Sequence, residues 1–450
     1  MKRLIVSLII FVTIPFTYAQ QTYVPDDNFE QALIDLGYDD VLDDYVITDS
    51  INTVTTLDVS NDSISDLTGI EDFTALTELS CYINQLTNLD VSSNTALTYL
   101  HCAVNQLTSL DISSNTSLTN LSCYNNQLTS LDISSNTSLT NLSCYNNPLT
   151  SLDVSSNTGL TNLNCSNNDL TSMDVSSNTA LTHLSLYYND LTSLDLSSNT
   201  ALTNLYCNDN QLTSLDVRAN TALAILNCSN NDLTNLDVSS NTALTHLVCN
   251  ETQLTSLDLS NNTALTYLHS AENQLTSLDV SSNTALTDLH FSENQITILD
   301  VSNNTLLTLL SCADNQLTSL DVSNNTALAH IDCHENQLTS LDVSNNTSLT
   351  WLQCYGNQLT YLNMKNGVTD ALTTFNASNN DSLECIETLD TTYATENWTY
   401  ANGNIDEGVT FSQNCLTPAG YTYVPDDNFE QALIDLGYDD LLDDYVITDS

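Results

Sequence analysis

The sequence contains very few basic residues. It has 4 Lys and Arg against 56 Asp and Glu, and its formal net charge is −52 at pH 7. Such a chain cannot form the basic patch that displaces counterions from phosphates, so nucleic-acid binding is excluded. The same charge repels anionic membrane surfaces. Disordered chains can be this acidic, but an apolar content of 41% and regular hydrophobic spacing predict a folded protein.

Long apolar runs are missing beyond the amino terminus. Residues 1–19 combine Lys2 and Arg3 with an apolar run at 4–16 and a small-residue site ending at Ala19, which is typical of a signal peptide. This run is too short to span a bilayer, and we expect no membrane insertion. Removal of residues 1–19 leaves 56 acidic and 2 basic residues, which gives a formal charge of −54. The sequence therefore predicts an exported protein.

Leucine recurs with a 21-residue period, from Leu76 to Leu349. Self-similarity at such a period predicts a solenoid, in which each repeat buries its apolar edge against its neighbours. Two shorter units alternate within each period. Residues 97–105 read LTYLHCAVN, and residues 107–115 read LTSLDISSN. Both units therefore carry the pattern LxxLx(apolar)xxN.

This motif resembles the leucine-rich repeat. The nested units of ten and eleven residues resemble the bacterial secreted class with 21-residue repeats, which is internalin-like in general role, and the resemblance covers residues 54–380. Because alternate strand residues face opposite sides, Leu100 and Cys102 should point inward. Both units share this pattern, so we expect a mainly β repeat solenoid with parallel sheets on both sides of about sixteen coils, preceded by a short helical amino-terminal cap.

Asparagine closes each short unit. In the resembling family this residue turns inward at the corner and bonds backbone groups that the bend leaves unpaired, as a buried amide requires. Two ladders result: one runs from Asn84 to Asn357 with a break at Thr252, and the other runs from Asn94 to Asn346. The ladder members that we take as representative are Asn105, Asn126, Asn115 and Asn136.

Caps are needed because the end coils of a solenoid expose apolar edges. Before the array, the sequence predicts a helix that starts at Asp26 or Asp27 and stops at Gly37, with Phe29, Leu33 and Leu36 on its apolar face. The predicted domains are a signal peptide at 1–19, an amino-terminal cap at 20–53, the solenoid at 54–387, a carboxy-terminal cap at 388–415, a linker at 416–420 and a second cap at 421–450.

The second cap is predicted because residues 422–450 reproduce residues 22–50. Val41 against Leu441 is the single difference. A cap without an array cannot bury its apolar face, so we expect a second repeat array to follow, with any sorting or anchoring domain beyond it.

Thirteen cysteines are present. Eleven of them, from Cys81 to Cys354, share one inward strand position, where Leu186, Ser270 and Phe291 stand in other copies. These replacements favour a buried ladder of free thiols, which would lack the access that catalysis or metal binding needs. Cys385 and Cys415 lie outside the ladder. We predict that they form a disulfide in the carboxy-terminal cap, contributing on the order of 3 kcal/mol.

Aspartate occupies one outward position of the LDVSSN unit in copy after copy, from Asp90 to Asp342. Two unit charges about 5 Å apart repel by roughly 1 kcal/mol in water, so the row should attract cations or shift its own ionisation. A solvated acidic face is the interpretation that we favour. The alternative, and the only cofactor expected, is weakly bound calcium on this row. The candidate calcium ligands are Asp111, Asp132, Asp153, Asp174 and Asp195.

The outward positions of the other unit vary and are rich in aromatic residues. Exposed aromatic side chains offer large contact area, few rotatable bonds and polar tips, as a recognition surface requires. Aromatic ladders that serve only packing are the alternative. In the first copies, Tyr99, His101, Ala103 and Val104 are expected to vary freely. The predicted ligand-binding residues are Tyr99, His101, Tyr124, Tyr145, His183, Tyr187, Tyr188, Tyr206, His246, Tyr267, His269, His290, His330, His334, Trp351 and Tyr355.

Two groups of histidines could bind a transition metal. One combines His269 and His290 with Asp288, Glu272 and Glu293, and the other is the segment His330–His334. Repeat stacking brings like residues together without a metal, so the packing interpretation is preferred. Ser and Thr occur only as part of the repeat, without an activating sequence context, and we predict that the chain is not an enzyme.

The sequence therefore predicts a monomer that is secreted or bound to the bacterial cell surface. Its predicted role is adhesion to an extracellular protein or glycan through the variable face. One alternative is a stiff acidic spacer or stalk that displays another domain. Ice binding by the Ser and Thr lattice is a remote alternative, against which the Asp row argues.

Overall fold

The computed structural model describes residues 19–415, 421–423, 433 and 445–447. The chain forms two compact units, Met1–Leu160 and Thr161–Ser450. The predicted signal peptide, except for Ala19, and the predicted linker at 416–420 lie outside the described residues, as does most of the predicted second cap.

Unit 1 begins with the amino-terminal cap. Strands Gln21–Tyr23 and Tyr45–Ile47 pair antiparallel, and helices Asp27–Asp35 and Thr48–Ile51 accompany them. The long helix starts as predicted, because the carboxylate of Asp26 accepts hydrogen bonds from the amides of Asn28 and Phe29.

Asp26 also attaches the cap to the solenoid. Its second carboxylate oxygen accepts hydrogen bonds from the Ser65 amide at 2.9 Å, the Ser65 hydroxyl at 2.7 Å and the Asp66 amide at 3.0 Å. The predicted apolar face of the helix is shorter than expected. Phe29 and Leu33 are buried, whereas Leu36 is 47% exposed because it lies at the carboxyl end of the helix, before Gly37 turns away.

The coils of unit 1 carry a parallel sheet on their variable side. Residues pair with those of the next coil at the same repeat position, as in Leu79 with Leu100 and Leu100 with Leu121. A short 3-10 helix, Ile70–Asp72, precedes the second strand. The strands are Thr56–Asp58, Glu78–Ser80, Tyr99–His101, Asn120–Ser122 and Asn141–Ser143.

Unit 2 continues the same coil design, and its variable side also forms a parallel sheet. The core of both units is made of the repeated Leu, Val and Cys positions, which are buried in every described coil. The strands are Asn162–Asn164, His183–Ser185, Asn204–Tyr206, Ile225–Asn227, His246–Val248, Tyr267–His269, Asp288–His290, Leu309–Ser311, His330–Asp332, Trp351–Gln353 and Thr374–Asn376.

The second predicted sheet, on the LDV side, is regular only at the end of unit 2. In the earlier coils each Asp carboxylate accepts the backbone amide two residues later. Asn363 makes the same bond with the Lys365 amide, and there the chain stays extended for four residues and its neighbours pair with it. The strands of this sheet are Ser340–Asp342, Tyr361–Met364, Cys385–Thr388 and Thr410–Ser412.

The carboxy-terminal cap closes unit 2 with helix Thr391–Asn397 and the 3-10 helices Thr369–Ala371 and Tyr400–Asn402. The predicted disulfide between Cys385 and Cys415 is present. Beside it, Lys365 Nζ lies 2.5 Å from the buried carboxylate of Glu387, which also accepts the amide of Cys415 at 3.1 Å.

Strands Tyr421–Tyr423 and Tyr445–Ile447 pair antiparallel. Their register matches that of the amino-terminal cap with an offset of 400 residues, since Tyr421 pairs with Ile447 and Gln21 pairs with Ile47. None of the helices in the described part of the chain is long and apolar enough to cross a membrane.

Candidate binding face

The corner after each variable strand is held by the first Asn ladder. Asn105 donates to the carbonyls of Cys81 and Cys102 at 3.0 and 3.2 Å, and its side-chain oxygen accepts the Leu86 amide at 2.9 Å. Asn126 repeats these contacts one coil later. Each amide therefore joins two coils and leaves the outward side chains free to differ.

The second Asn ladder works differently. Asn115 donates to the carbonyls of Val91 and Asn94 at 3.0 and 2.9 Å, and Asn136 donates to the corresponding carbonyls of the next coil. The side-chain oxygens of both residues are buried without a hydrogen-bond partner. This ladder therefore stabilises its corner through its donors alone.

The residue before each first-ladder Asn adopts a left-handed backbone. Val104 has φ 54° and Asn125 has φ 53°, and only Gly356 at the same position lacks a Cβ. Ala103 and Val104 are therefore more restricted than the expectation of free variation implies, although other coils carry different residues at both positions. Ala103 is fully buried, and Val104 occupies a conformation that suits Gly and Asn much better than a β-branched residue.

Aromatic side chains of unit 1 stack in one row on the variable sheet. Tyr82 and His101 lie parallel with ring centres 4.5 Å apart, and Tyr124 and Tyr145 stack at 4.3 Å. Tyr99 meets His101 edge-on at 6.4 Å. Burial lowers the pKa of His101, so this ring is neutral at pH 7.

Unit 2 has three separate aromatic groups on the same kind of face. The first contains Tyr187 and Tyr188, which meet edge-on at 5.8 Å. Tyr188 is 57% exposed and also takes the left-handed backbone position. Tyr206 is half-buried on a strand of the following coil.

The second group is centred on His269. Its ring stacks on Tyr267 with centres 4.0 Å apart, and its Nε2 lies 2.8 Å from the Asp288 carboxylate. The Tyr267 hydroxyl lies 3.1 Å from Nδ1 of the same histidine. His246 stacks on Tyr267, and His290 meets His269 edge-on at 5.0 Å.

The third group lies near the end of the sheet. His330 stacks on Trp351 at 5.1 Å, and His334 stacks on Tyr355 at 4.4 Å. His334 also lies between two carboxylates, with Nδ1 2.5 Å from Asp332 and Nε2 3.2 Å from Asp314. Both nitrogens of this ring therefore already face acidic partners.

Most of the predicted binding residues are less exposed than expected. His183, Tyr188 and His246 are exposed, and the others are half-buried, most of them because their rings lie against other rings. The histidines do not assemble into a metal centre here. No group of three or more His, Cys, Asp or Glu side chains in the described ranges is arranged to hold a metal ion.

A row of carboxylates at one edge of this face was not predicted from the sequence. The left-handed position carries acidic residues in five successive coils of unit 2. The recurrence of Asn and Gly at this position is a signal that could have revealed the left-handed turn, but variation among the copies obscured it. The residues are Glu251, Glu272, Glu293, Asp314 and Glu335.

The Asp row on the opposite side is a structural feature of each coil. Asp111 accepts the amide and the hydroxyl of Ser113 at 3.0 and 2.7 Å, and these bonds lower its pKa. The candidate calcium residues Asp132, Asp174 and Asp195 accept the corresponding Ser amides at 2.9 Å and have lowered pKa values for the same reason. Asp153 accepts the Ser155 amide at 2.9 Å.

The free cysteines form buried ladders. All eleven, from Cys81 to Cys354, are unpaired in disulfides and buried. Burial raises the pKa of Cys102 and Cys144 to about 12, so these thiols stay protonated. They belong to the core and contribute no reactive group to the face.

Known structures share this architecture. The chain is 40% identical to the structure described as the functional domain of InlJ from Listeria monocytogenes, which includes a cysteine ladder, with a TM-score of 0.75 over 80% of this chain and 81% of that one. A leucine-rich repeat protein of Leptospira interrogans is 26% identical, with a TM-score of 0.62 over 69% of this chain and 92% of that one. The internalin inlF of Listeria monocytogenes, 23% identical with a TM-score of 0.60 over 73% of this chain and 95% of that one, shares the fold.

The sequence comparisons agree with this result over a short segment. Internalin J of Listeria monocytogenes serotype 4b is 43% identical over 78 residues, which make up 17% of this chain and only 8% of that protein. No family model matches the chain. Since it is 40% identical to the InlJ domain and covers 81% of it, the chain belongs to the internalin family of leucine-rich repeat proteins.

Proposed function

We propose that this protein is an extracellular adhesion protein that recognises a protein or glycan partner through its variable sheet face. The observation that supports this most directly is the separation of roles within each coil. Buried Leu and Cys side chains and the corner amides stabilise the coil, whereas the outward strand positions hold aromatic and histidine side chains that differ between coils.

The ring stacks support recognition in a specific way. Stacked neighbours fix the orientation of each side chain before a partner arrives, so that little conformational entropy is lost on binding. Tyr188, which meets Tyr187 edge-on, is 57% exposed and can contact a partner directly. We infer a rigid, largely preformed contact surface with polar tips.

Removal of Tyr187, Tyr188 and Tyr206 by substitution with Ser tests the proposal. We expect the full chain with these changes to lose attachment to cells or to an array of glycans and matrix proteins, because the exposed ring of Tyr188 and the half-buried rings of Tyr187 and Tyr206 are gone. A matched control replaces three exposed tyrosines of the caps. These are Tyr23, Tyr45 and Tyr400, which are 49%, 44% and 62% exposed.

The acidic spacer is the second candidate. It is favoured by one observation, namely that many rings of the face cover one another, as packing alone would explain. Under this alternative the Tyr187, Tyr188 and Tyr206 variant and the cap control would attach equally well. Unchanged attachment with an unchanged melting temperature would therefore contradict the adhesion proposal.

A further inference from the structure

The acidic row of unit 2 runs along one edge of the variable sheet. Its five carboxylates, from Glu251 to Glu335, are all exposed. The strands beside them pair in register from one coil to the next, so the row repeats at the strand spacing of about 4.8 Å. The row is therefore about 19 Å long, since four such steps separate its ends.

No lysine or arginine opposes this row on the same face, and His334 Nε2 lies 3.2 Å from Asp314. The sequence contains no Lys or Arg between His246 and Tyr355, whereas Asp288 and Asp332 add two carboxylates on the strands. Burial lowers the pKa of the neighbouring histidines His290 and His330, which are therefore neutral at pH 7. The face as a whole is strongly negative.

The carboxylates of the row also repel one another. The pKa of Glu272 is raised, first by desolvation and then by the charges of Glu251 and Glu293. At the same backbone position other coils carry Asn, as at Asn125 and Asn230, which suits a left-handed backbone better than Glu does. Acidic residues here are thus unfavourable for the isolated coil both in conformation and in charge.

The end of the sheet offers ring faces beside the row. Trp351 and Tyr355 are the last rings of their stacks, with His330 and His334 on their other sides. Trp351 pairs with Thr374 of the next coil in the strand register, so its neighbour on that side is a small residue. A guanidinium group is attracted to such a ring face by the cation–π interaction.

We propose that the face of unit 2 from His246 to Tyr355 docks a lysine- and arginine-rich segment of another protein. The inference rests on the proposed function and adds the chemistry of the partner. Basic side chains neutralise the row from Glu251 to Glu335, and an arginine at one end of the segment stacks on Trp351. A second copy of this chain is the wrong partner because both copies carry a formal charge of −52 or below.

The test measures binding of a short arginine-rich synthetic peptide to the full chain in 0.1 M salt, with a glutamate-rich peptide as the control probe. The row variant carries Glu251→Gln, Glu272→Gln, Glu293→Gln, Asp314→Asn and Glu335→Gln. The control variant makes the same change in net charge on the opposite side, with Asp258→Asn, Asp279→Asn, Asp300→Asn, Asp321→Asn and Asp342→Asn. Asn can still accept the Ser amide there.

We expect the row variant to bind the arginine-rich peptide at least about tenfold more weakly, because several ion pairs are lost together. The control variant should bind within about twofold of the unchanged chain, since long-range charge is screened over about 10 Å at 0.1 M salt. Equal weakening of both variants would overturn the inference, and so would an unchanged chain that fails to bind the peptide.

A further variant separates this inference from the proposed function. Trp351→Leu should weaken binding of an arginine-rich peptide more than binding of a lysine-rich one, because the flat guanidinium stacks better on a ring. If the Tyr187, Tyr188 and Tyr206 variant loses cell attachment while the row variant keeps it, the adhesion proposal stands and the basic partner is excluded. If neither variant affects attachment, both fail.

Discussion

Single residues at the corners decide whether two coils stay joined. Asn210 donates to three backbone carbonyls, of Leu186, Cys207 and Asn208, and accepts the amide of Leu191. Thr252 is the exception in the ladder. Its hydroxyl lies 2.5 Å from the side-chain oxygen of Asn273 and 3.2 Å from the Cys249 carbonyl, and its single proton can serve one of them, so part of the bonding of the missing amide is retained.

Asn210→Ala should lower the free energy of unfolding by about 1–3 kcal/mol, because the corner carbonyls and the Leu191 amide lose their partner. Asn210→Thr should have a smaller effect, as Thr252 indicates. Urea unfolding followed by circular dichroism measures both. The control is Asn204→Ala on the outward face, where the side chain accepts one bond from Thr203, and an equal loss in that variant would contradict the corner role.

The left-handed corner position gives a reciprocal prediction. Val104→Asn should raise the free energy of unfolding by about 1 kcal/mol, and Asn125→Val at the same position of the next coil should lower it by a similar amount. In denaturant unfolding, the midpoint should rise for Val104→Asn and fall for Asn125→Val, while the dependence of the free energy on denaturant concentration stays unchanged. Changes of the same sign in both variants would mean that backbone conformation does not control stability here.

Within an element, the inward strand position shows how neighbouring coils adjust to one another. Ser270 and Phe291 replace Cys in two adjacent coils whose strands pair in register, and both are fully buried. A small side chain thus lies one coil from a large one, although the hydroxyl of Ser270 has no hydrogen-bond partner. The small Ser270 therefore provides part of the space that the larger Phe291 needs.

Double substitution tests this compensation. Phe291→Cys alone should lower the free energy of unfolding by about 2–4 kcal/mol, because it leaves a cavity. Ser270→Cys alone should lower it by about 1–3 kcal/mol, because the larger side chain crowds the aromatic ring. The variant with both changes should recover most of the loss, because it restores two ordinary coils. Additive losses in thermal unfolding would show that the two positions are independent.

The cysteine ladder predicts slow thiol chemistry. Burial raises the pKa of Cys102, Cys144, Cys228 and Cys354 to about 12, so the nucleophilic thiolate is scarce at neutral pH. A thiol reagent should label none of the eleven free cysteines in the native chain at pH 8 and all of them in denaturant. Rapid labelling of the native protein, counted by mass spectrometry, would contradict the buried ladder.

The residues that each strand buries could be predicted from the sequence. Leu100 and Cys102 were predictable as core residues because strand alternation fixes their direction. The short extent of the second sheet was not, because the same Ser-Leu-Asp pattern lies in a strand at Ser340–Asp342 and outside any strand in most earlier coils. The half-burial of Tyr124 was missed for a similar reason, since stacking on Tyr145 depends on rotamers that the repeat pattern does not specify.

At the scale of the whole molecule, negative charge is the dominant property. The Asp row and the acidic row both place like charges at the spacing of the coils, so salt should stabilise the fold by screening. We expect the melting temperature to rise with ionic strength, equally for calcium and magnesium chloride. Calorimetric heat specific to millimolar calcium, lost in an Asp111→Asn and Asp132→Asn variant, would instead show that the row binds the ion.

Near-identical coils also create an ambiguity during folding. A segment that pairs with the coil after its proper neighbour would find almost the same leucines, amides and carbonyls, at the cost of one looped-out repeat. Such states slipped by 21 residues act as kinetic traps. Coils that carry Thr252, or Phe291 beside Ser270, fit only one neighbour. We therefore expect the residues that depart from the repeat to favour the correct pairing of neighbouring coils during folding.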